Sequence, residues 1–131
     1  MKKFFTLLLV FFLIFCLSAC NRYNTPIENI ERLDCSPESG EIQRVSITIS
    51  KEEQLEIVSI LNNSDCFNDV INSAPDYEFS VNGVRMGYVA DGFFKDYDHA
   101  CTLELSEADT RRVNEILGYE NRYTQSSPVT N

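Results

Sequence analysis

The chain has 131 residues and sets 20 Asp and Glu against 11 Lys and Arg, a formal charge of −9. So acidic a surface repels nucleic acid and anionic lipid headgroups, which argues against any nucleic-acid role. The length suits one folded domain and not two.

Met1-Lys2-Lys3 opens the chain, and Phe4 to Leu17 follows with Thr6 as the only polar interruption. A cationic start, an apolar core and small residues before a cut site make a secretory signal peptide. The run is shorter than the roughly 20 apolar residues of a membrane-spanning helix. It ends in Leu17-Ser18-Ala19-Cys20, which resembles the lipobox of bacterial lipoproteins: an aliphatic residue, two small residues and a cysteine. The resemblance implies that the Cys20 sulfur takes a diacylglyceryl group and that residues 1–19 are removed. It also implies an extracytoplasmic protein, lipid-anchored to the cell membrane, or to the outer membrane where there are two. Asn21 departs from the aspartate that favours inner-membrane retention in that family. Loss of Lys2 and Lys3 leaves nine basic residues against the same 20 acids, a charge of −11. The lipid must therefore hold the protein against its own charge. Two acyl chains, at about 0.8 kcal/mol per buried methylene, are enough for a stable anchor.

Residues 20–41 read as a lipid-anchored tether: polar, with Pro26, Pro37 and Ser39-Gly40 as breakers. Within them Ile27, Ile30 and Leu33 recur every three residues, the spacing of a short helical turn. Residues 42–118 read as an α+β domain, and the polar 119–131 as a disordered tail. Val45 to Ile49 alternates like a strand buried on one face. Ser50 then caps a helix over Lys51 to about Asn62, with Glu53 completing a capping box and Asn62-Asn63 supplying a left-handed stop. The same grammar recurs 56 residues later: Cys101 to Leu105 alternates, Ser106 caps with Asp109 three residues on, and Gly118 ends the helix. Such a unit recurs easily by chance, and the expected structure does not depend on a duplication.

Between the two units, Asn82-Gly83 is the preferred pair for a two-residue hairpin turn. It sets Val81 against Val84, Phe79 against Met86 and Tyr77 against Tyr88 on one face, with Glu78, Ser80, Arg85 and Gly87 on the solvated one. The expected fold is α+β: a small antiparallel sheet of about four to five strands with two helices on one face, in the order β-α-β-β-β-α. Of the cysteines left after processing, Cys35, Cys66 and Cys101, three pairings are open. The end of the first helix returns near the start of its strand, so Cys35 with Cys66 is the expected disulfide. Cys101, in phase with Leu103 and Leu105, is expected as a buried thiol.

Catalytic signals are sparse. The single histidine, His99, stands among Asp91, Asp96 and Asp98, without the spacing of an EF-hand loop or the further ligands that zinc requires. No Gly-x-Ser-x-Gly elbow or phosphate-cradling loop is present, so no metal, cofactor or catalytic residue is expected. The segment Gly92 to Ala100 reads as an irregular binding loop, with Phe93, Phe94, Asp96, Tyr97, Asp98 and His99 as its candidates. An alternative places Phe93 and Phe94 in the core as part of a further strand. The leading expectation is a non-catalytic binding or interaction module with an envelope protein or peptide as partner. Beside it stand an envelope enzyme or accessory subunit using His99, and a protective or inhibitory lipoprotein that blocks an envelope protein.

Overall fold

The computed structural model describes residues 2–9, 22–68 and 72–119. Most of the apolar run, the Leu17-Ser18-Ala19-Cys20 motif, and the segment from residue 120 onward lie outside the described residues. Residues 2–9 form an exposed helix, α1. No described helix is long and apolar enough to cross a membrane.

Seven strands follow: β1 (Ile27–Cys35), β2 (Ile42–Ser46), β3 (Cys66–Phe67), β4 (Tyr77–Val81), β5 (Val84–Val89), β6 (Phe93–Asp96) and β7 (Cys101–Glu104). Helix α2 (Lys51–Asn62) lies between β2 and β3, and α3 (Glu107–Leu117) follows β7. All strands pair antiparallel in one sheet, in the order β2-β1-β4-β5-β6-β7-β3. The α+β class stands, with seven strands where four or five were expected and with a different order.

The Asn82-Gly83 hairpin has the expected register, with Tyr77, Phe79 and Val81 opposite Tyr88, Met86 and Val84. Asn82 and Gly83 both have positive φ, 48° and 84°, as a type I′ turn requires. Those side chains face the helices and share one core with Ile57, Val58 and Leu61 of α2 and Val113, Ile116 and Leu117 of α3. Tyr88 and Phe94 pack with ring centroids 4.8 Å apart. The Tyr88 hydroxyl donates to Asn114 Oδ1 at 2.6 Å, and that of Tyr77 donates to the Leu117 carbonyl at 3.3 Å. Arg112 on α3 forks onto Glu56 on α2 at 2.7 and 3.0 Å.

Both helices begin where capping chemistry places them. Ser50 Oγ accepts from Glu53 N while Glu53 returns the bond to Ser50 N, and Ser106 Oγ accepts from Asp109 N. Gly118 ends α3 in the left-handed region at φ 73°. Asn63 ends α2 without a left-handed residue, at φ −96°, its N–H bonding back to the last turn.

The tether reading fails. Residues 27–35 are the second strand of the sheet, because Ile27 and Ile30 both reach the core. A β-bulge between Glu28 and Glu31, with Asn29 at φ 55°, turns the two-residue alternation of a strand into the three-residue spacing that mimics a helix. The strand expected over Val45–Ile49 ends at Ser46, and β2 is an exposed edge strand with nothing over Ile42 and little over Val45.

The cysteine pairing is also corrected: Cys66 is bonded to Cys101, with Cα atoms 5.7 Å apart, and Cys35 is a free, exposed thiol. β3 pairs directly with β7, setting Cys66 opposite Leu103. β1 and β3 stand five strand positions apart in the sheet order, about 24 Å at ordinary strand spacing. That is beyond the reach of any disulfide.

Candidate functional site

The segment expected as a loop divides in two. Phe93 to Asp96 is strand β6, with Phe94 in the core, so the core alternative holds for Phe94. Phe93 is half-buried on the opposite face. The chain leaves the sheet only at Tyr97, and Tyr97, Asp98 and His99 are exposed in the following turn.

Asp96 organises that turn. Its carboxylate is fully buried and accepts from three donors: the Tyr23 hydroxyl at 2.8 Å, the His99 backbone N–H at 2.9 Å and His99 Nδ1 at 2.7 Å. A buried carboxylate is tolerated only when its lone pairs are met in this way. The alternation of β6 turns Asp96 to the helix face beside Met86 and Cys101, where no solvent competes. The contact with Asp96 fixes the His99 ring through Nδ1 and leaves Nε2 on the outer edge of a half-exposed ring.

Tyr23, two percent exposed, is the residue that sequence reasoning missed. Its backbone is clamped by Asn62, which accepts from Tyr23 N and donates to Tyr23 O, both at 2.9 Å. Burial first, and then the hydrogen bond and charge of Asp96, push its phenol up to about 12, while Arg22 pulls the other way. From there the chain crosses the end of the strands. Asn82 N donates to Pro26 O at 2.8 Å, and Ile27 N donates to Gln54 Oε1 at 3.0 Å as β1 begins.

The second feature lies on the sheet face away from the helices. An open groove of about 540 Å³ is lined by Asn29, Glu31, Glu78, Ser80, Arg85 and Tyr97, with parts of Phe79 and Met86. Tyr97 lies over Gly87, where an added Cβ would come within 2.5 Å of its hydroxyl and 3.1 Å of Pro75. Burial and the charge of Glu78 raise the Tyr97 phenol above the usual range. Arg85 donates from its backbone N–H and from Nε to Asp98 at 2.9 and 3.0 Å. Those bonds hold the Asp98 carboxyl below the usual range, the backbone one most. Across the groove, Arg44 stands 3.4 Å from Glu78 and 3.9 Å from Glu31. Further along the same face, Lys95 is buried opposite Gly87 and Thr102 and donates from Nζ to the Ser73 carbonyl. Desolvation lowers its pKa.

Of the candidate residues, the structure thus brings Tyr97 and the Asp98 ion pair to the groove and joins Asp96 to His99. Phe93 and Phe94 belong to neither site. Among the described residues, no group of three or more His, Cys, Asp or Glu is placed to hold a metal. Cys101, two residues from His99, is in the disulfide and has no thiol for it to activate. What the groove offers is donors, acceptors, both signs of charge and one aromatic wall. Comparison with protein-family models, with curated proteins and with solved structures found no match.

Proposed function

We propose that the chain is an extracytoplasmic bacterial lipoprotein, anchored through Cys20, whose groove under Tyr97 binds an envelope protein or peptide without catalysis. One observation carries the binding reading. Two helices cover one sheet face, while the other keeps an open polar groove walled by an aromatic ring held over a glycine. The anchor reading rests on the Leu17-Ser18-Ala19-Cys20 motif behind an apolar run. A photo-crosslinking residue in place of Ser80, in cells expressing the full chain, should give a discrete adduct that is lost on adding Tyr97→Ala. No adduct, or one indifferent to Tyr97, removes the groove from the account. A protective or inhibitory lipoprotein would use the same surface, and assay of the cross-linked protein's own activity separates the two roles.

The Asp96–His99 pair supports a second reading, an envelope enzyme or accessory subunit, because a buried carboxylate orienting an exposed imidazole is a general-base arrangement. A hydrolytic activity of the purified protein that disappears in His99→Ala and not in Tyr97→Ala would favour it.

A further inference from the structure

We infer that the end of the sheet crossed by residues 23–26 is the surface that lies against the bilayer, with the β1–β2 hairpin tip pointing away from it. The inference rests on the lipid-anchor reading and adds a direction to it. Cys20 precedes Tyr23 by three residues, which span at most about 10 Å even when fully extended. Tyr23 is no floppy tether residue: it is bound at its N–H, its carbonyl and its hydroxyl by Asn62 and Asp96. The lipid-bearing sulfur and the folded body are therefore joined by a connection little longer than one headgroup layer, about 5–8 Å thick.

Which end of the sheet that connection meets follows from register. Tyr23 reaches Asp96, the last residue of β6, and Pro26 reaches Asn82 at the β4–β5 turn. The near end thus holds the Asn82-Gly83 turn, the Tyr97–Ala100 turn and the end of α2. The far end holds the tip where Cys35 pairs with Ile42, together with the β5–β6 turn at Asp91. β1 runs from the near end to that tip, about 25 Å at strand rise.

The test uses the full lipidated chain from detergent-extracted membranes, reconstituted into phosphatidylcholine–phosphatidylglycerol vesicles containing a headgroup-nitroxide lipid. Cys35 is the one free thiol among the described cysteines and takes a fluorophore directly as the far-end reporter. Asn63→Cys and Arg85→Cys, each in a Cys35→Ser background, report the near end. The proposal expects strong quenching at both near-end positions, and at Cys35 no more than in vesicles without nitroxide. It also expects a 15-residue Gly-Ser insertion after Asn21, with an r.m.s. reach of about 20 Å, to abolish the difference while the protein still floats with vesicles. Equal quenching at the two ends, stronger quenching at Cys35, or indifference to the insertion would overturn it while leaving the anchor standing. Failure to float, with no acyl mass on the chain, would overturn the anchor and this surface together.

Discussion

Replacing Tyr23 with Phe removes one oxygen from the molecule and tests the clamp at its centre. The hydroxyl is one of three donors to a carboxylate with no exposure to solvent, at 2.8 Å. The ring itself keeps its place, so the loss is that of a single hydrogen bond to a charged acceptor, about 1.5–3 kcal/mol. His99 still supplies its backbone N–H and Nδ1 at 2.9 and 2.7 Å, so Asp96 keeps two of its three partners and the larger cost of leaving a buried group unpaired is not incurred. For a domain of this size a loss of about 2 kcal/mol lowers the melting temperature by about 8–16 °C. The assay is urea unfolding of the non-lipidated domain, followed by circular dichroism without reductant, with Tyr97→Phe as the exposed control. Tyr23→Phe combined with Asn62→Ala should cost less than the sum of the two single changes, since both release the same segment. A Tyr23→Phe loss below about 0.5 kcal/mol, within the range of ordinary surface substitutions, would refute the claim that Asp96 holds the N-terminal segment down.

The same phenol gives a pH signature. Its pKa lies near 12 in the folded state against 10.0 for an ordinary tyrosine, so its stabilisation is complete below pH 10 and is lost as pH rises through 12. Alkaline unfolding of the native chain should therefore carry a component in that window that Tyr23→Phe lacks, measured by denaturation at fixed pH steps. Cys66→Ser with Cys101→Ser opens a loop closed by residues 35 apart in sequence and should cost about 4 kcal/mol in the chain-entropy model. Cys35→Ser, at an exposed thiol, should stay within about 0.5 kcal/mol, and thiol titration of the folded domain should find one reactive sulfhydryl. Gly87→Ala puts a methyl against the Tyr97 hydroxyl and Pro75, and should reduce the Ser80 cross-link by displacing the ring. An unchanged yield would mean that Tyr97 does not wall the site.

Much of the fold was legible where local chemistry and tertiary packing agree. The Asn82-Gly83 turn fixed the register of β4 and β5 through Val81, Phe79 and Tyr77, and the serine caps placed the starts of both helices. Reading failed where one residue changes the period. The bulge at Asn29 disguised β1 as a helical turn, and with β1 taken for a tether, β2 had no partner to be an edge beside. The wrong disulfide came from the same error, since the distance between Cys35 and Cys66 depends on strands that sequence spacing did not reveal. At the site, Tyr97 and His99 stood out as an aromatic and the sole histidine in a polar segment. In sequence Asp96 reads as an exposed acid among the loop candidates, and its burial was not legible because it depends on Tyr23, 73 positions earlier. The groove residues Glu31, Glu78, Ser80 and Arg85 sit on the polar phase of their strands. That phase reads as solvent-facing whether or not something binds there.

The anchor is the claim on which location, orientation and partner all depend. The most direct test is the intact mass of the protein extracted from membranes with detergent, taken with and without reductant and beside Cys20→Ala. The account predicts a chain beginning at Cys20 that carries the mass of its acyl groups and gains two hydrogens on reduction, with Cys20→Ala left unacylated. A soluble, unacylated chain beginning elsewhere would contradict it, and the domain would then have to be understood as a free protein with no fixed face.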